Sequence, residues 1–211
     1  MRPYTRTYAV VSLDAVEENI KAMKAVLTEG TAVMGVVKAD GYGHGAVPVA
    51  RALDPYVTSY GVATVEEAVS LRRHGITKPV LVLGMTHESH NEELIRYEIR
   101  SAVFQKRQAA ALSKTALSMG RTALVHLALD TGMSRIGMKT DEESADLAWE
   151  ICRMPGITVE GIFTHFAKAD ETDKTSAGRQ LREYRNFVKL LETRGIRIPI
   201  KHISNSAGIL D

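Results

Sequence analysis

The sequence predicts an α/β fold built on a parallel sheet, and two observations carry the prediction. Short runs rich in β-branched residues alternate with amphipathic helical patterns along nearly all of the 211 residues. The residue types that do chemistry fall just after those runs, where the strand ends of a parallel sheet gather a site. At 45% hydrophobic and 25% charged, the composition is ordinary for one globular domain with a substantial core.

Taken in order, residues 9–13 are a strand candidate. Asp14 with Glu17 has capping-box spacing for a helix that aligns Val16, Ile20, Met23 and Leu27 on one face. Further strands are predicted at 32–37, 59–63, 79–83, 100–104, 123–129, 158–163 and 200–203. Thr64 with Glu67 and Thr140 with Glu143 repeat the capping spacing, and Gly75 stops the first of these helices. The long pattern Leu181, Tyr184, Phe187, Val188, Leu191 ends in the same way at Gly195. Right-handed crossovers between such units give either an open doubly wound sheet or a closed (β/α)8 barrel. With residues 9–13 set aside there are seven strand–helix units, and a barrel needs eight.

Bulk properties remove several function classes. A formal charge of +2, scattered along the chain, gives no nucleic-acid footprint. Seven His and one Cys show no metal-ligand spacing, and Cys152 has no partner for an internal disulfide, which fits a reducing cytoplasm. No apolar run reaches membrane-spanning length, and the start is too interrupted, by Asp14, to read as a signal peptide.

The most informative segment is Val36-Val37-Lys38-Ala39-Asp40-Gly41-Tyr42-Gly43-His44-Gly45. A lone lysine closes a run of buried-type residues (Ala32, Val33, Met34, Val36, Val37), where desolvation favours the neutral, nucleophilic amine. Three alternating glycines follow, then an apolar helical pattern through Val47, Val49 and Ala50. Glycines let backbone N–H groups approach an anion, and the helix adds its positive end. This is not the dinucleotide fingerprint G-x-G-x-x-G. Amine and anion cradle together suit an aldehyde cofactor carrying a phosphate: pyridoxal 5'-phosphate (PLP), held as a Schiff base.

The full string VVKADGYGHG resembles the cofactor-lysine motif of bacterial alanine racemases, and three more segments agree. LALDTGMSRIG (127–137) is similar to the family's DTGM-x-R-x-G, GIFTHFAKAD (161–170) to its G-x-x-T-H-F-A-x-A-D, and HISNSAG (202–208) to its H-x-x-N-S-A. The resemblance implies a TIM-type (β/α)8 barrel that is incomplete here, its eighth strand and a carboxyl-terminal β domain lying beyond Asp211. Residues 1–14 are then a strand segment that pairs with the absent β domain, and 15–211 are the partial PLP-binding barrel.

The resemblance also implies roles. Lys38 carries the cofactor and serves as one of two acid/base groups. Tyr42 and Ser206 bind the phosphate, and Asn205, beside Ser206, belongs to the same cofactor-binding set. Arg135 stands near the cofactor's phenolic oxygen and the substrate carboxylate, two tasks that suit a planar, permanently charged fork. His165 packs by the cofactor ring. Asp40 and His44 shape their loop, Asp130 and Thr131 hold an Asx-type turn, and Asp170 and Glu171 face solvent. One departure stands out: many relatives carry a carbamylated lysine that braces the arginine, and here that position is Ala128. The pyridine-facing arginine and the opposing acid/base tyrosine fall beyond Asp211, the latter on the partner subunit of a homodimer. Tyr56, Tyr60, Tyr97 and Tyr184 match no motif.

The implied activity is two-base interconversion of L- and D-alanine, supplying D-alanine for the bacterial cell wall from the cytoplasm. The amino acid is the expected partner, with no nucleic acid or membrane, and the 211 residues alone are expected to be inactive. The rival readings are a non-catalytic PLP-binding barrel protein and a serine or broad-specificity racemase.

Overall fold

The computed structural model describes residues 6–210. Seven strands form one sheet: β1 (Met34–Val36), β2 (Ser59–Val62), β3 (Val80–Val82), β4 (Ile99–Val103), β5 (Ala123–Ala128), β6 (Ile157–Phe163) and β7 (Ile200–His202). They lie in sequence order and every neighbouring pair is parallel. A doubly wound sheet would reverse its order at a switch point; this one never does, so its right-handed crossovers put all helices on one face, as in a barrel. β1 and β7 are the two edges, and the structure is a barrel with seven of eight strands.

Between the strands run α2 (Lys38–Tyr42) and α3 (Ala46–Leu53), α4 (Val65–Arg73), α5 (Asn91–Arg96), α6 (Lys106–Ser118), α7 (Glu142–Cys152) and α8 (Thr175–Thr193). The short α9 (Ser206–Leu210) follows β7, and α1 (Leu13–Ala25) precedes β1. Two layers of packing follow from the period-2 alternation along each strand. On β5, Ala123, Val125 and Leu127 face the helices, while His126 and Ala128 face the barrel interior. The helix–sheet layer holds the main core, including Tyr60, Val62, Val82, Leu71, Leu94, Ile151, Phe187 and Leu191. Each such aliphatic or aromatic side chain contributes roughly 1.5–3 kcal/mol on burial.

The inner layer is smaller and partly polar. Ala102, Ala128 and Phe163 pack together with Leu83 and Phe104 against them. Among these strands, Arg100 and Glu160 form a bidentate ion pair (2.8 and 3.3 Å), and His126 Nδ1 meets His202 Nε2 at 2.9 Å. Both contacts reach over an intervening strand. The His126 contact is possible because Gly161, paired with His126 in register, has no side chain. A Cβ there would sit 2.3–2.7 Å from three atoms of the His126 ring.

Several sequence expectations need correction. Residues 9–12 form no strand and Leu13 already opens α1, so the expected strand at 9–13 is absent. The expected segment 1–14, with its pairing to a β domain, lies in part outside the described residues. The cap of α1 is Ser12, whose hydroxyl accepts the Ala15 N–H at 3.2 Å; Asp14 lies inside the first turn. The cap of α7 is Asp141, accepting from Ser144 N at 2.9 Å, one residue later than the Thr140–Glu143 spacing. A carboxylate is the stronger acceptor and wins the position. The Thr64 cap of α4 and the glycine stops at Gly75 and Gly195 are as expected, both glycines having positive φ.

Candidate active site

β1, β5, β6 and β7 all end at the same mouth of the barrel, and each motif begins where its strand stops. Lys38 continues the inward parity of Met34 and Val36, is half-buried, and stands 5.9 Å from the centre of the Tyr42 ring. The turn after it is unusual. Ala39, Asp40, Gly41 and Tyr42 have φ of 51, 51, 62 and 57°, so α2 is a left-handed turn, and three of its residues are not glycine. Such a run costs roughly 1–2 kcal/mol for each non-glycine residue and needs outside support.

Support comes from two carboxylates. Asp40 Oδ1 accepts the Ala46 N–H at 2.8 Å and closes the loop onto α3. Glu67, on α4, accepts from Ala39 N at 2.7 Å with one oxygen and from Ala63 N at 2.8 Å with the other. The backbone directly after Lys38 is thereby tied to the end of β2. Tyr42 is left exposed with its ring beside the lysine, and His44 hydrogen-bonds to carbonyls of its own loop, as a shaping residue should.

Past β5, Asp130 Oδ1 accepts from Gly132 N (3.0 Å) and Ser134 N (2.9 Å), the expected Asx-type turn. The loop folds back so tightly that Asp130 N donates to Met138 O at 2.7 Å, and a Cβ on Gly137 would lie 2.5 Å from Asp130 N. Arg135 is displayed at the tip of this loop, exposed and without a side-chain hydrogen bond or ion pair among the described residues. Ala128, two residues before Asp130, is buried against Ala102 and Phe163 and offers no brace.

His165 is half-buried at the end of β6. Its proton affinity is lowered first by burial, then by the positive charges of Arg135 and Lys38. The charges of two other motifs therefore reach His165, and its imidazole is biased toward the neutral form. At the end of β7, Asn205 caps α9, its Oδ1 accepting Gly208 N at 3.0 Å, and Ser206 is the exposed first residue of that helix. Asp170 and Glu171 face solvent. The unmatched tyrosines have structural duties: Tyr60 donates to Ala50 O, Tyr184 to Ile162 O, and Tyr56 to Glu17.

Two contributors escaped the sequence reading. Glu67 was seen only as half of a capping box, yet its side chain bypasses Thr64 to hold Ala39 and Ala63. Gln180 is fully buried on α8, in line with Tyr184, Phe187 and Leu191, and bonds to the loops after β5 and β6. A polar residue on that apolar stripe was the available signal.

The donor set is coherent for a phosphorylated aldehyde. It has one half-buried amine, two exposed hydroxyls (Tyr42 and Ser206), a helix start, and an unpaired guanidinium beside an imidazole kept neutral. Among the described residues, no group of three or more His, Cys, Asp or Glu could hold a metal ion. None of the helices is long and apolar enough to cross a membrane.

Comparison with known proteins agrees with this geometry. The alanine racemase N-terminal domain family matches residues 11–211. Alanine racemase of Symbiobacterium thermophilum is 44% identical over 211 residues, covering 100% of this chain and 55% of that protein. The Clostridium perfringens SM101 enzyme is 42% identical over 205 residues, covering 97% and 53%. Among solved structures, alanine racemase of Clostridium difficile 630 superposes with a TM-score of 0.93 at 40% identity, over 94% of this chain and 55% of that one. The Bacillus anthracis enzyme with bound L-Ala-P gives 0.89 at 32%, over 94% and 52%. The chain spans about half the length of these relatives. It belongs to the alanine racemase family and corresponds to the amino-terminal domain of its members.

Proposed function

We propose that this chain supplies the cofactor-carrying half of a PLP-dependent alanine racemase. The observation that carries the reading is the placement of Lys38, Arg135 and His165, from three separate motifs, after the ends of β1, β5 and β6 at one mouth of the barrel. When bound, PLP supplies an electron sink for the charge left on the substrate's α-carbon.

The chain's own residues do the rest. Lys38 holds the cofactor through Nζ and, on its own face of the site, takes or returns the α-proton. Its approach is fixed by the left-handed turn that Glu67 and Asp40 clamp. Arg135 offers its fork to the substrate carboxylate. His165, kept neutral, accepts or donates one hydrogen bond beside Arg135 without adding a competing positive charge. The Tyr42 and Ser206 hydroxyls and the start of α9 are the phosphate donors, and Asn205 sets the position of Ser206 by capping α9. Racemisation needs a second acid/base group on the opposite face; Tyr56, Tyr60 and Tyr184 commit their hydroxyls to structural hydrogen bonds, and Tyr97 lies just before β4, at the end of the barrel away from this mouth. That group is assigned to the carboxyl-terminal β domain of a partner copy in a homodimer. The enzyme works in the cytoplasm and feeds cell-wall synthesis.

Borohydride reduction of the PLP-treated chain, followed by peptide mapping, tests the core of this reading. Label on Lys38 is expected; label on Lys168 or Lys201 instead would refute it. In the complete polypeptide, alanine should be racemised in preference to serine, while residues 1–211 alone should bind PLP without measurable D-alanine formation.

A further inference from the structure

Among the described residues, Gln180 is the only fully buried amide side chain, and each of its bonds goes to a loop that carries a site residue. Its Oε1 accepts the Ala167 N–H at 2.9 Å, and its Nε2 donates to the His165 carbonyl at 2.9 Å and to Thr131 Oγ1 at 3.2 Å. Thr131 Oγ1 in turn meets Thr164 Oγ1 at 2.8 Å, and both threonines are buried. One side chain on α8 thus joins the Arg135 loop after β5 to the His165 loop after β6.

We propose that Gln180 is a positioning residue, whose amide sets the spacing between Arg135 and His165. The inference rests on the reading that those two residues serve the PLP site. Its warrant lies in what Arg135 lacks. With Ala128 in the interior of β5, nothing on that strand braces the guanidinium, so its position follows from the loop backbone. The Asp130 bonds fix the shape of that loop, and the Met138 contacts tie it back to β5. Among the described residues, Thr131 alone ties it by side-chain hydrogen bonds toward β6 and α8. The residue type also fits the task. The site presents one N–H and two oxygen acceptors or hydroxyls, which a glutamine matches on both ends of its amide. A carboxylate would oppose the His165 carbonyl, and an apolar side chain would leave the Ala167 N–H and that carbonyl buried without partners.

The test uses the complete, PLP-loaded polypeptide. Borohydride labelling of the unsubstituted protein at Lys38 comes first; failure there refutes the PLP-site reading, and this proposal with it, before any variant is compared. Gln180→Met, Thr131→Val and the double variant are then measured per loaded site. Gln180→Met should retain Lys38-bound PLP but lower kcat/KM for alanine by about tenfold or more, since small misplacements of positioning groups are costly. KM should rise and the absorption maximum of the bound cofactor should shift, because Arg135 and His165 both move. Thr131→Val should act in the same direction, and the double variant should be little worse than Gln180→Met, since the two contacts form one staple. A lowered Tm with unchanged kcat, KM and spectrum per loaded site would show a packing residue only, and full additivity would also overturn the proposal. If Gln180→Met does not fold, Thr131→Val and Gln180→Glu decide the matter. Glutamate keeps the Ala167 and Thr131 bonds but not that to His165, so intermediate kinetics are expected and wild-type kinetics would refute.

Discussion

Gly161→Ala is the sharpest test of the barrel interior. Gly161 is in ordinary extended backbone, so its requirement is purely spatial: an added Cβ would lie 2.3 Å from His126 Nδ1, 2.5 Å from Cε1 and 2.7 Å from Cγ. Comfortable carbon contacts begin near ~3.5 Å, so the ring must retreat by roughly 1 Å. It cannot do so freely, because Nδ1 is held 2.9 Å from His202 Nε2 and the ring is almost completely buried. Overpacking of this kind costs about 1–3 kcal/mol, and leaving two buried ring nitrogens unpaired adds about 1–3 kcal/mol. A loss of roughly 2–6 kcal/mol is therefore expected, read as a lower urea midpoint with an unchanged slope. His126→Ala should relieve the clash, making the double variant more stable than the sum of the single effects predicts. If Gly161→Ala lies within about 0.5 kcal/mol of the parent, the usual range for surface changes, the ring does not occupy the space over β6 and the inner-layer account is wrong.

Stability should fall in mild acid. Burial lowers His126 from 6.5 to about 4 and His202 from 6.5 to about 3, with Arg100 adding to the first and His126 to the second. Both rings are neutral when folded, so their contribution is intact above 6.5 and is lost as pH falls through 6.5 toward those folded values, at about 1.4 kcal/mol per pH unit for each ring. Denaturant midpoints between pH 7 and 4 should show this slope, and His126→Phe should flatten it. Arg135→Lys should reduce kcat/KM by about tenfold or more in the complete polypeptide, because a point ammonium cannot reproduce the planar fork; equal turnover would remove Arg135 from the site. Glu67→Gln should weaken retention of PLP in dialysis, since one of two N–H donors loses its acceptor and meets an NH2 group instead. Ser12→Ala should cost about 1 kcal/mol, because it removes the cap of α1.

The motif residues were legible because strand ends are legible. A run such as Val36-Val37 before a lysine, or Ile162-Phe163 before Thr164 and His165, marks both a buried strand and the point where its chain leaves the barrel. Seven strands were placed within one or two residues on that basis, since β-branched runs dominate local signal. Two of the three caps were less legible, and residues 9–12 form no strand among the described residues. They carry two β-branched valines but have no strand partner among the described residues, and a strand exists only when paired. Ser12 and Asp141 won their caps by local geometry that a four-residue spacing does not resolve. The tasks of Glu67 and Gln180 were hidden for a different reason. Their most distant partners lie 28 and 49 residues away in sequence, and although Gln180 stands out on an apolar stripe, nothing local to α4 or α8 says which loops these side chains bond.

That contrast bears on how the site is held. Lys38, Arg135 and His165 each sit on a loop whose own geometry is unfavourable: a left-handed turn, a fold-back too tight for a Cβ at Gly137, and a strand end that bears a half-buried ring. Asp40 and Asp130 shape two of these loops from within, but each loop also takes support from another element. The turn after Lys38 depends on a carboxylate from α4, and the loops after β5 and β6 depend on an amide from α8. Both anchors lie on helices whose opposite contacts are buried in the helix–sheet layer, so the energy that holds the site comes from the main core and is delivered through single polar side chains. Mutations in the helices should consequently reach the chemistry in proportion to how far they move Glu67 or Gln180, even where they cost equal stability. Comparing Val69→Ala on α4 with a core truncation of similar cost on α6 (Leu112→Ala) would separate the two. The first should disturb PLP binding at a given stability loss and the second should not, because α6 sends no side chain to any of the three loops among the bonds of the described residues.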